Sequence, residues 1–247
     1  MKGVFKFILV EFKLFFRSFI PVFFAFMFPS MMLLMFGGIY GNKPSPLFNG
    51  HGTIDVSVPA YTVIVITVIG IMNLPLTISE YRERKILKRL MATPVNSFAI
   101  LISQLMVNFI VTVIGMALLI IVGKAFYNLR FPGEIPSIIA AFVLSTLSMF
   151  SIGFLIASIS RDAKVTGAVA NLIYFPMLFL SGATTPVEIM PESLMKIVRC
   201  IPAYYAVHLQ KGIWLGGRLS EYMQDIIILV SILTVCTLIS VIIFRWE

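Results

Sequence analysis

Six apolar runs alternate with short polar breaks along this chain. They lie near Ser18–Gly38, Val58–Ile78, Ser97–Gly123, Ser137–Ile159, Val165–Gly182 and Ile226–Phe244. Each is long enough to cross a bilayer as one helix, the form in which a chain in lipid satisfies its own backbone groups. Pro21, Pro29, Pro75 and Pro176 fall inside or near the ends of these runs, where kinks are expected. Ahead of the first run, Met1–Arg17 repeats with a helical period. Lys2, Lys6, Lys13 and Arg17 share a stripe about 60° wide at 100° per residue. Phe5, Ile8, Phe12 and Phe15 cover other faces, so residues 1–17 are expected as an amphipathic helix in the headgroup layer. A cleaved signal peptide fits less well, since the next run is long, lacks a small-x-small cleavage site and precedes further spans.

Composition agrees. Hydrophobic residues make up 59% of the chain, charged residues 12%, and the mean hydropathy is +1.00. The expected fold class is an all-α polytopic membrane protein of six transmembrane helices, with residues 1–247 forming one transmembrane domain. The net charge of +8 reads as attraction to acidic lipid at the inner leaflet, not as nucleic-acid binding, because the cations sit in short loops.

Those cations also set the orientation. With both termini on one side, twelve Lys and Arg fall inside and seven outside, which favours both termini in the cytoplasm; the expected location is a cell membrane, bacterial by expectation. The densest group is in Ile78–Asn96, ISEYRERKILKRLMATPVN, where Arg82, Arg84, Lys85, Lys88 and Arg89 occupy eight residues. On a helical period Arg82, Lys85, Lys88 and Arg89 share one face and Ile86, Leu87 and Leu90 the other; Glu80 and Arg84 are spaced for a pair, and Thr93-Pro94 ends the helix. A short amphipathic helix over residues 79–97 is therefore expected at the inner surface. By composition alone it could equally be a solvated connector.

The connection between the last two runs, residues 183–225, is too apolar for a solvated loop and too broken by Pro186, Pro191 and Pro202 to span. Short helices dipping into the outer leaflet fit it, with Tyr204, Tyr205 and Trp214 at the interface. Cys200 in this loop and Cys236 in the last run are too differently placed to form a disulfide.

Reactive chemistry is not readable. No phosphate loop, H-E-x-x-H or G-x-S-x-G occurs, and both histidines, His51 and His208, are assigned outside. No ionisable residue lies within the runs, which argues against a proton-coupled carrier. Their polar residues are neutral: Asn73, Thr77, Gln104, Asn108, Asn171 and Ser181. Each serves as readily for an interhelical hydrogen bond as for a substrate contact. Gly37-x-x-x-Gly41 could let helices approach closely.

Three stretches resemble the permeases of the ABC type-2 exporter family: the basic amphipathic segment before the first span, EYRERKILKRLMATPVNSFAILISQL at Glu80–Leu105, and FLSGATTPVEIMPESL at Phe179–Leu194 followed by Pro202-Ala203-Tyr204-Tyr205-Ala206. The second is similar to the family's E-R-E-x-G-T-like run leading to L-x-x-x-P, with Lys85-Ile86-Leu87 where a Gly-Thr pair is usual. The third is similar to F-L-S-G-x-x-x-P and N-P-x-x-Y-A, with Ile201 in place of the Asn.

The resemblance implies a permease subunit of an ATP-binding-cassette exporter, with no enzymatic site of its own. It would bind no cofactor itself, ATP and Mg being held by a separate ABC ATPase subunit present in two copies. A second permease, the same chain or a homologue, would complete the transporter. Glu80, Arg82, Glu83, Arg84 and Lys85 would dock on the ATPase through a coupling helix, with Leu90 and Pro94 anchoring it. Asn73, Thr77, Asn108, Asn171, Phe175 and Phe179 are the candidate substrate pathway. With 22 Phe and 14 Met on offer, the expected substrate is amphipathic or hydrophobic: an antibiotic, antimicrobial peptide or lipid-like compound. Alternatives are an exporter of lipid-linked polysaccharide, a secondary carrier, or a membrane scaffold or immunity protein that does not transport.

Overall fold

The computed structural model of the protein describes residues 2–48, 50–86, 97–160 and 162–244. Among them the structure is helical, apart from loops and a single bridge between Pro44 and Gly52. Helix α1 is Lys2–Arg17. Six spanning helices follow: α2 Phe19–Tyr40, α3 Thr53–Glu83, α4 Ser97–Tyr127, α5 Ile135–Ile159, α6 Ala163–Leu180 and, after two short helices, α9 Met223–Ile243. The short pair is α7 Glu192–Val198 and α8 Pro202–Trp214, preceded by a 3-10 turn at Val187–Ile189.

Helix α3 is the axis of the bundle. Nearly its whole apolar stretch is buried, and α2, α4, α5, α6 and α8 all pack against it. At 31 residues it is about 46 Å long at 1.5 Å per residue, longer than the roughly 30 Å hydrocarbon layer. It therefore runs on past Ile78 as one helix to Glu83, carrying the first charges of the inner segment with it. Here the end bearing Arg82–Lys85 is termed the inner end; α1 and Phe244 both lie there, through contacts to Tyr81 and Arg82.

Two prolines are accommodated by widened turns. Pro29 and Pro75 each stand two residues after a π-helical stretch, at Phe23–Met27 and Val68–Asn73. A proline ring collides with the carbonyl four residues back, and those carbonyls, Ala25 and Ile71, lie inside the wide turns. Pro21 stands in the first turn of α2, where its missing N–H is not required. The second wide turn also lets α3 meet α5 closely. A Cβ on Gly153 would lie 1.9 Å from the Gly70 carbonyl oxygen, so only glycine fits.

Gly37 likewise admits the Tyr127 ring, whose hydroxyl donates to the Leu34 carbonyl at 2.8 Å. Its expected companion Gly41 makes no such contact and instead ends α2 in a left-handed conformation, φ +66°.

At the outer end α3 begins earlier than the apolar run suggests. The Asn42 side-chain oxygen accepts from the N–H groups of Ile54 and Asp55, at 3.0 and 3.2 Å, and so caps the helix from a distant segment. Asp55 is buried and accepts from Asn42 Nδ2 (2.9 Å) and the Arg130 N–H (2.8 Å). An ionisable side chain thus lies within the second spanning helix, but at its first turn and saturated with donors.

The outer connection forms short helices, as its pattern suggests. Pro186 precedes the 3-10 turn, Pro191 precedes α7, and Pro202 opens α8. Each proline stands where an N–H would have no helical acceptor. Helix α8 packs against α3, α5 and α9. Trp214 is fully buried in that packing rather than at an interface. Cys200 and Cys236 are both free.

Candidate functional site

The inner turn is built from the last residues of α3. Its helical hydrogen bonds end with the Arg84 N–H on the Glu80 carbonyl and the Lys85 N–H on the Arg82 carbonyl, both 2.9 Å. Lys85 is left-handed at φ 55°, which breaks the helix. Of the expected stripe, Arg82 and Lys85 are described, while Lys88 and Arg89 lie outside the described residues. Glu80 and Arg84 meet through the backbone and form no ion pair with each other. Leu90 and Pro94 lie outside the described residues.

The two charges at the end of α3 point in different directions, and each is matched to a helix terminus. The Arg82 guanidinium donates to the carbonyls of Ala157 (3.0 Å) and Ser160 (2.9 Å), the C-terminal end of α5, and lies 5.2 Å from the centre of the Phe244 ring. The Glu83 carboxylate accepts from the Ala163 N–H at 3.2 Å, at the N-terminal end of α6. A cation at a C-terminus and an anion at an N-terminus both complement the helix dipole. Asp162 caps α6 as well, accepting from the Val165 N–H at 2.8 Å, and the Thr166 hydroxyl donates to Ser79 at 2.7 Å in a buried contact. The inner turn is thus fastened to both helices of the α5–α6 corner. Glu83, Arg84 and Lys85 remain exposed, while Glu80 and Arg82 are half-buried.

Helix α1 is fixed to the same end. Its Glu11 is buried, accepts a short hydrogen bond from the Tyr81 hydroxyl, and has Gln104 beside it. Burial holds the Glu11 carboxyl above its ordinary range, the hydrogen bonds opposing this. Phe15 packs inward, its ring 6.0 Å from that of Phe26, whereas Leu9, Val10, Leu14 and Phe16 are exposed.

The six pathway candidates divide into two groups. Asn73 and Asn108 bond to each other, Nδ2 to Oδ1 at 2.8 Å, joining α3 to α4; Asn108 also donates to the Gln104 carbonyl. The Thr77 hydroxyl donates back to the Asn73 carbonyl at 2.9 Å. These three are partnered within the bundle. Asn171, Phe175 and Phe179 instead form an exposed stripe on α6 at four-residue spacing, the two rings 51% and 56% exposed. Asn171 keeps its amide on the Gly167 carbonyl.

Sequence reading missed three features. Buried Asp225, at the start of α9, lies 2.7 Å from His208 Nδ1 on α8. Tyr204 stacks on His208, their ring centres 5.8 Å apart, and Tyr222 meets its edge. Lys211, one turn beyond His208, turns inward, and burial lowers its proton affinity. Nothing in the sequence sets an acid 17 residues further along the chain against this particular histidine. No metal-binding cluster occurs among the described residues.

Six apolar spanning helices, one of them the buried axis, with a charged turn wired to two helix ends, define a polytopic helical membrane protein with one specialised end. Residues 40–242 match the model of the ABC-2 family of transporter proteins, and the chain belongs to that family. It is 26% identical over 153 residues to the inner membrane transport permease YhhJ of Escherichia coli K12, covering 62% of this chain and 41% of that protein. It is also 26% identical over 166 residues to the probable multidrug ABC transporter permease YbhS of the same organism, covering 66% and 43%. The matched segment spans about two fifths of the length of these curated relatives.

Proposed function

We propose that this chain is a permease subunit of an ABC exporter, moving an amphipathic or hydrophobic compound out of the cell on energy from a separate ATPase. ATP and Mg belong to that ATPase, two copies of which serve a pair of permeases in the cell membrane, with both termini of this chain cytoplasmic. The observation that carries the reading is the exposed turn Glu83–Lys85, joined through Arg82 to the end of α5 and through Glu83 to the start of α6. A push on such a turn reaches two spanning helices without crossing a flexible linker. Family membership and the name of the YbhS relative support the transport reading and its substrate class. The exposed stripe Asn171, Phe175 and Phe179 on α6 supplies an apolar face for a second permease or for substrate between the two.

The test is co-purification of the tagged protein from detergent with its ATPase, wild type against Arg84→Glu. Arg84 is exposed. Retention of an active ATPase by the wild type and its loss from the variant is the expected result. Failure of any ATPase to accompany the wild type would turn attention to a carrier or a non-transporting scaffold.

A further inference from the structure

At the outer end, away from the inner turn, a cavity of about 560 Å³ opens between the last turn of α2, the first turns of α3 and the loop after α6. Its size is that of a small-ligand pocket. One wall is aromatic: the rings of Phe36 and Tyr40 are stacked 6.2 Å apart, and Phe48 and Tyr61 face the same space. Tyr40 and Ile189, both lining it, are 63% and 58% exposed and stand at its mouth. Because α2 is a spanning helix and Tyr40 its last residue, that mouth lies where acyl chains meet headgroups.

The far wall holds Lys211. Its ammonium has no hydrogen-bond or ion-pair partner among the described residues; Glu188 acts on it only as a nearby charge. A second, more polar cavity of about 410 Å³, lined by Tyr204, His208 and Glu188, adjoins on the other side of the same lysine. A cation drawn out of water without a counter-ion costs free energy unless an anion arrives to pair with it. An apolar slot that opens to lipid and ends at such a cation is complementary to one kind of molecule.

We propose that this cavity binds a phospholipid of net negative charge from the surrounding leaflet. The phosphate pairs with the Lys211 ammonium, the glycerol and first methylenes lie along Phe36, Tyr40 and Tyr61, and the chains leave past Ile189. Occupation joins α2 to α8 and to the loop after α6, all of which line this space. A net anion is favoured over a zwitterionic lipid because the latter brings its own cation to a site that already has one.

The test is thermal unfolding of the intact protein in neutral detergent, titrated with phosphatidylglycerol, with phosphatidylcholine, or with inorganic phosphate. Phosphatidylglycerol should raise the midpoint more than phosphatidylcholine, and phosphate alone should not. Lys211→Met should remove the preference, weakening protection at least about tenfold, while Lys211→Arg retains it. Thr185→Trp, at an exposed position on the cavity rim, should block protection without touching the charge, so the proposal stays testable if Lys211→Met does not fold. Equal protection by both lipids, or a preference that survives Lys211→Met, would overturn the proposal. Protection by phosphate alone equal to that by phosphatidylglycerol would replace the lipid with a free anion and overturn it too.

Discussion

The Arg82 guanidinium donates to the Ser160 carbonyl at 2.9 Å, across 78 residues of sequence. One bond thereby ties the end of the central helix to the end of α5, and its companion on Ala157 makes the contact two-pronged. The next residue, Glu83, reaches the first turn of α6. Two adjacent side chains of opposite charge thus hold the two sides of one corner.

Removing the first of these should be felt as lost stability. Arg82→Met leaves two helix-terminal carbonyls without a donor, at a cost of about 1–3 kcal/mol. For a chain of this size that is a fall of roughly 2–4 °C in thermal midpoint per kcal/mol. Arg84→Met, two residues on and exposed, should change it little. Equal shifts for the two variants in detergent-solubilised protein would contradict the assignment.

Burial of Glu11 predicts a pH dependence of definite sign. Its carboxyl titrates above the ordinary 4.5 in the folded protein, so the folded state holds the proton longer than the unfolded chain does. Its contribution is neutral below that value and becomes destabilising as pH rises through the raised folded value. Glu11→Gln keeps an acceptor for Tyr81 and removes the charge. The thermal midpoint of the variant should gain on wild type as pH rises from 4 to 8, and a constant difference would refute the account.

The Asn73–Asn108 bond distinguishes structure from substrate contact. Replacing Asn73 alone with Leu leaves the Asn108 oxygen without that donor; a double-mutant cycle with Asn108→Leu should show a coupling of about 0.5–2 kcal/mol. Zero coupling together with lost transport would move the pair into the pathway.

Two glycines should respond in opposite ways. Gly153→Ala sets a methyl against the Gly70 carbonyl, and forcing α3 from α5 should cost about 1–3 kcal/mol or more. Gly38→Ala meets nothing within 4 Å and should leave stability unchanged or raise it by up to about 1 kcal/mol. Thermal unfolding of both variants checks the contrast.

What the sequence determined by itself was everything that depends on contrast between an apolar and an aqueous medium. Run length counted the six spans, a charged stripe marked α1, and prolines broke the outer connection into pieces too short to span. The inner segment announced itself by charge, and its likeness to the transporter family rested on local motifs. Tertiary structure decided which faces meet, because in a membrane lipid and protein interior are equally apolar and hydrophobicity no longer reports burial. The most apolar span, α9, is the least buried, whereas α3, less apolar, is almost wholly enclosed. For the same reason only packing could separate Asn73 and Asn108, bonded to each other, from Asn171 on an exposed face. Only the folded chain could turn Arg82 and Glu83 onto two helix ends, set Asp225 on His208, and leave Lys211 facing a cavity. Each of those is a contact between distant segments, fixed by where helices cross and carried by no local pattern.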